Sequence, residues 1–98
     1  MDSQLKRKLL FTVGRMIEEI SDETLVIAME ELSELSQATS KLKRGKADYD
    51  NIAEEIADVL VCIEVIKKIG GISDSSIEKW VDFKLDRTLS KISKGEFH

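Results

Sequence analysis

The sequence predicts an all-α chain: a four-helix bundle assembled as a homo-oligomer. Three observations carry that reading. Proline is absent and aromatics make up 5% of the 98 residues, which disfavours sandwiches and barrels. Apolar residues recur at three- and four-residue spacing in four stretches separated by polar or glycine-bearing breaks, the signature of amphipathic helices. Hydrophobic residues at 42% and charged residues at 35% describe a globular chain, not a disordered one. The length suits one domain over residues 1–98. So short a chain buries only about 60–65% of its unfolded surface, which favours a homodimer or tetramer.

The first helix is expected over residues 3–20, with Leu5, Leu9, Val13, Met16 and Ile20 on one stripe. Ser21 or Asp22 can cap the next helix. That second helix is expected from Thr24 to Arg44, with a core stripe of Leu25, Ala28, Leu32, Leu35, Thr39 and Leu42, and Gly45 just beyond its end. A polar link follows, and Asn51 with Glu54 three residues later resembles a capping box. The third helix, Ile52 to Ile69, carries only Asp58 and Glu64 as charges between Ile56 and Ile66. That pattern predicts burial on most faces, with Gly70-Gly71 as the stop. The fourth opens at Ser73-Asp74-Ser75, aligns Ile77, Val81, Leu85, Thr88 and Ile92, and closes at Gly95. Short connections favour antiparallel neighbours.

Several functions are excluded at this level. A net charge of −4 is unlike the basic surface of a nucleic-acid binder. The longest apolar run, Val59 to Ile63, is far short of the ~20 residues of a membrane span. One cysteine, Cys62, and one histidine, His98, leave no disulfide framework, zinc site, Ser-His-Asp triad or Cys-His dyad. The basic N-terminal stretch lacks the apolar region and cleavage site of a secretory signal, so a cytoplasmic location is expected. Any catalysis must come from carboxylates and basic residues.

The carboxylates are patterned. Glu30-Glu31-Leu32-Ser33-Glu34-Leu35 and Glu54-Glu55-Ile56-Ala57-Asp58-Val59 repeat one order of acidic, apolar and small residues. Within each copy the inner acids, Glu31 with Glu34 and Glu55 with Asp58, lie three apart and about 60° apart around a helix. Antiparallel packing through the adjoining apolar faces would bring all four together. Clustered carboxylates in a half-apolar site either gain protons or recruit cations, and hard divalent ions with oxygen ligands are the usual solution. A solvated acidic face is the plainer explanation of any single pair. Two features weigh against it. Seven acids stand between Glu18 and Glu34 without a lysine or arginine, and Asp58, a poor helix former, sits in the most apolar segment.

The motif Glu30-Glu31-x-x-Glu34 followed by Glu55-x-x-Asp58 resembles the E-E-x-x-E…E-x-x-D signature of the all-α nucleotide pyrophosphohydrolases. The wider string AMEELSELSQATSKLKRGK…NIAEEIADVLVCIEVIKKI is similar to short MazG-like proteins, and the likeness runs over roughly residues 23–91. It implies a Mg²⁺-dependent hydrolase, with Mn²⁺ as a substitute, that cleaves a nucleoside triphosphate between its α and β phosphates. Glu31, Glu34, Glu55 and Asp58 would be the metal ligands and, with Glu30 in a supporting or water-orienting role, the catalytic set. Lys84 and Arg87 match the family's K-x-x-R-like element and are the candidate substrate-binding residues; a solvated helix face is their plainer reading. No W-G-x-x-x-Q-type stretch precedes the motif, which leaves base and sugar preference open. Two other readings remain: a non-catalytic helical interaction module with an acidic face, and a phosphoribosyl-ATP pyrophosphohydrolase.

Overall fold

In a computed structural model, which describes residues 1–96, the chain forms four helices: α1 (Ser3–Ile20), α2 (Glu23–Lys43), α3 (Tyr49–Gly70) and α4 (Asp74–Ser93). No strand occurs among the described residues, and none of their helices is long and apolar enough to cross a membrane. His98 lies outside the described residues.

The helix ends follow local chemistry. The Asp2 carboxylate accepts the Leu5 amide at 2.8 Å, and the Ser73 hydroxyl accepts the Ser76 amide at 3.2 Å, each satisfying a donor that the first turn leaves free. The third helix starts earlier than its apolar pattern suggests. Asp48, not Asn51, is the cap: its Oδ1 accepts the Asp50 and Asn51 amides at 3.1 and 3.2 Å. The apolar periodicity begins only at Ile52, so it could not reveal the polar turn preceding it. Asp48→Ala is therefore expected to lower stability by about 1 kcal/mol, read by urea denaturation, with Asn51→Ala close to neutral. At the start of α2 neither Ser21 nor Asp22 caps with its side chain. The Thr24 hydroxyl instead donates to the Ser21 carbonyl, and Ser21 takes a left-handed φ of 56°.

Packing corrects the expected core. α2 and α3 form the most extensive contact, α1 lies against both, and α4 packs on none of the other three among the described residues. The buried residues are Val13, Thr24, Ala28, Ala38, Val59, Cys62 and Val65. Of the stripe expected on α2 only Ala28 is fully buried; Leu25, Leu32 and Leu42 are exposed. Alanine at the seam lets two helix backbones approach closely, so the small residues are enclosed and the leucines flank them. The third helix is likewise not covered on most faces, since Ile56, Leu60, Ile63 and Ile69 are all exposed. Three helices, not four, make the body.

α4 is tethered by charge. Lys67 near the end of α3 is paired with Glu64 at 3.0 Å and with Asp74 in the first turn of α4. Hydrogen bonds to Asp74 and Glu64 raise the Lys67 pKa, and the same partner holds Asp74 below its usual value. Gly71, at φ 64°, makes the left-handed turn between the two helices, a conformation that costs glycine little.

Candidate functional site

The functional candidates meet on the α2–α3 hairpin. A link of residues 44–48 turns the chain back, in a register that brings Glu31 opposite Asp58 and Glu34 opposite Glu55. One carboxylate oxygen from each of Glu31, Glu34 and Glu55 lies within 4.8 Å of the others. Asp58 adjoins this triad within hydrogen-bonding reach of Glu31, and its charge acts on both Glu31 and Glu55. Glu31, Glu55 and Asp58 are half-buried; Glu34 and Glu30 are exposed. The helical period puts Glu30 about 100° around α2 from Glu31, and it is not part of the triad.

Electrostatically the site is under strain. Burial first, then the charges of Glu34 and Asp58, push the Glu31 pKa up from 4.5 to about 7. Burial and the charges of Glu34, Asp58 and Glu54 raise that of Glu55. The charges that act most strongly on these two residues are carboxylates. Two oxygens, Glu31 Oε2 and Glu55 Oε2, are buried without a hydrogen-bond partner. An acceptor without a donor is unfavourable, the more so when charged, and a bound cation offsets that. The donor set is all oxygen, hard and clustered, which fits Mg²⁺ or Mn²⁺. Glu31, Glu34, Glu55 and Asp58 would hold the ion.

A pH dependence follows for the metal-free protein. Glu31 carries its raised pKa only when folded, so between about pH 4.5 and 7 the native state keeps a proton that the unfolded state has lost. The contribution of Glu31 to stability is then full below about pH 4.5, declines as pH rises towards 7 and is gone above it. Glu55 acts in the same direction. Asp74, with its pKa lowered, contributes stability that is lost only as pH falls below the ordinary carboxylate range. Urea midpoints across pH 4.5–8 read the slope, and a Glu31→Gln chain should flatten it.

The sequence candidates on α4 do not join this cluster. Lys84 and Arg87 are exposed, on a helix that does not pack on α2 or α3. The Arg87 guanidinium instead sits over the Phe83 ring at 5.7 Å, and Phe83 meets Trp80 edge-on at 5.8 Å. A further neighbour is Cys62, which the helical spacing puts close to Glu55 and the sequence marks as a small buried apolar residue. Cys62 is buried beside the acids, and burial together with the charges of Glu31 and Asp58 pushes its thiol pKa up. Its spacing of four from Asp58 was the available signal; an apolar side chain would have given the same pattern. No family model, curated protein or solved structure matches this chain.

Proposed function

We propose that the chain is a Mg²⁺-dependent nucleoside triphosphate pyrophosphohydrolase of the MazG-like type, releasing a nucleoside monophosphate and pyrophosphate. The observation that carries this reading is the carboxylate cluster with its two orphaned buried oxygens. When bound, a divalent ion supplies neutralisation of phosphate charge and acidification of water. Glu31, Glu34, Glu55 and Asp58 hold it. Glu30, one position away on the exposed side, is suited to orienting solvent at the edge of the site. A reducing cytoplasm suits the free thiol of Cys62.

The test is a panel of ribo- and deoxyribonucleoside triphosphates, with phosphoribosyl-ATP included, assayed for pyrophosphate with and without Mg²⁺. Mg²⁺-dependent pyrophosphate plus monophosphate is the expected outcome. Orthophosphate release, or no turnover at all, contradicts it. The broad exposed apolar surface favours a second reading, a helical interaction module whose acidic face has no catalytic role. That reading predicts no turnover with any nucleotide.

A further inference from the structure

The charges of α4 are sorted by side. At about 100° of rotation per residue, Trp80, Phe83, Lys84, Arg87, Lys91 and Lys94 share an arc of about 100° around the helix, and all six are exposed. The four acids of the helix, Asp74, Glu78, Asp82 and Asp86, fall outside that arc, and its remaining cation, Lys79, borders it. None of Lys84, Arg87, Lys91 and Lys94 forms an ion pair among the described residues. The chain's net charge of −4 therefore averages over a local surface of the opposite sign.

Two aromatic rings stand among these cations. Trp80 and Phe83 are 56% and 54% exposed, on a helix that has no buried residue and packs on none of the others among the described residues. The rings meet edge-on, and the Arg87 guanidinium lies over the Phe83 ring. Cations of this kind neutralise phosphates, and an exposed ring is a surface on which any base can stack. From Trp80 to Lys94 the arc runs about 21 Å along the helix, room for about six phosphates at the ~3.4 Å spacing of a stacked strand.

The pattern suits a single strand better than a lipid surface or a duplex. An interfacial helix lays its apolar face on the lipid and turns Lys and Arg to the headgroups. On α4 the apolar stripe Val81, Leu85, Leu89 and Ile92 has Glu78 within it and Asp82 beside it, which anionic headgroups repel. A duplex keeps the faces of its bases stacked on one another, out of reach of Trp80.

We infer that the basic, aromatic face of α4 binds single-stranded DNA without sequence preference, with Lys84, Arg87, Lys91 and Lys94 on phosphates and Trp80 stacked on a base. Such contacts need no 2′-hydroxyl, so a deoxyribose strand suffices. The inference uses neither the carboxylate cluster nor a metal.

Trp80 is the only tryptophan of the chain, so its fluorescence reports the contact directly. An oligodeoxythymidylate of about 12 nucleotides, titrated into the full chain with EDTA at ~50 mM salt, should quench it with a dissociation constant of about 1–100 µM. Raising the salt should weaken binding with a log–log slope of about −3, from ~0.7 for each of the four phosphates neutralised. Lys91→Gln/Lys94→Gln should bind at least tenfold more weakly and halve the slope. Trp80→Ala, followed by anisotropy of a labelled strand, should lose at least fivefold. Glu78→Gln/Asp82→Asn, off the arc, should bind no more weakly than the wild type. The quench and the slope need no substitution, so the result stays readable should a variant lose its helix.

Absence of binding overturns the inference, as does a bound strand that leaves Trp80 fluorescence unchanged. A strand annealed to its complement that quenches Trp80 as strongly would reduce the contact to charge alone. Binding of an RNA strand but not the DNA would overturn it too, and so would stronger quenching by phosphatidylglycerol vesicles at equal phosphate. Nucleotide hydrolysis is not a readout and metal is withheld, so failure here and failure of the hydrolase reading are distinguishable.

Discussion

Asp58→Asn should reduce nucleotide hydrolysis by orders of magnitude while leaving the metal-free protein at least as stable as the wild type. The substitution keeps shape but removes a negative charge beside Glu31 and Glu55, whose pKa values that charge helps to raise. The Asn amide can also donate to a carboxylate that now lacks a partner. Repulsion therefore falls, and the decline in stability between about pH 4.5 and 7 should become shallower. Metal binding moves the other way, because an amide oxygen is a poorer ligand for a hard cation than a carboxylate. A ligand that binds only the native state stabilises by ~2.7 kcal/mol at a hundredfold excess over its dissociation constant. Mg²⁺ should deliver a gain of that kind to the wild type and little to the variant. Thermal melts across a Mg²⁺ titration, beside a pyrophosphate assay, measure both halves. Equal Mg²⁺ responses in the two proteins would remove the metal site, and a loss of metal-free stability would give Asp58 a structural role instead.

The second large effect lies in the core. Val65 is 1% exposed, and Val65→Asp would place a carboxylate in the enclosed core. An unpaired charge in such a position costs several kcal/mol, against a total stability of about 5–15 kcal/mol for a native protein. The expected result is loss of cooperative unfolding and most of the helical circular dichroism. Val65→Ala should cost about 2 kcal/mol through lost apolar burial and the space left behind. Met29→Asp, on the open face of α2 at 70% exposure, should change stability by no more than ~0.5 kcal/mol. A Val65→Asp chain that still melts cooperatively near the wild-type temperature would mean that the α1–α3 packing is not what holds the body together.

Much of this was legible in the chain itself. Helix period, the Ser73 cap and the stops at Gly45 and Gly70-Gly71 follow from local backbone chemistry, so four helices could be read in order. The repeated acidic pattern marked Glu31, Glu34, Glu55 and Asp58 as residues able to share a face. Caps made by residues outside the apolar pattern, such as Asp48 and the Thr24 hydroxyl, were less visible because they belong to turns that periodicity does not describe.

What only the tertiary structure decided is which faces meet. The period of α2 permits a leucine-lined core, yet packing buries Thr24, Ala28 and Ala38 and leaves Leu25, Leu32 and Leu42 exposed. The period of α4 permits a fourth bundle helix, yet α4 packs on none of the other three among the described residues. The same holds for the acids: sequence spacing aligned each pair along its own helix, whereas the register of the hairpin set Glu31 against Asp58 and turned two oxygens inward without donors. The physical reason is one of range. Side-chain periodicity is fixed within a turn or two by the backbone, but the choice of partner depends on competition among several apolar faces of similar strength, and close approach of two backbones can favour alanine over leucine.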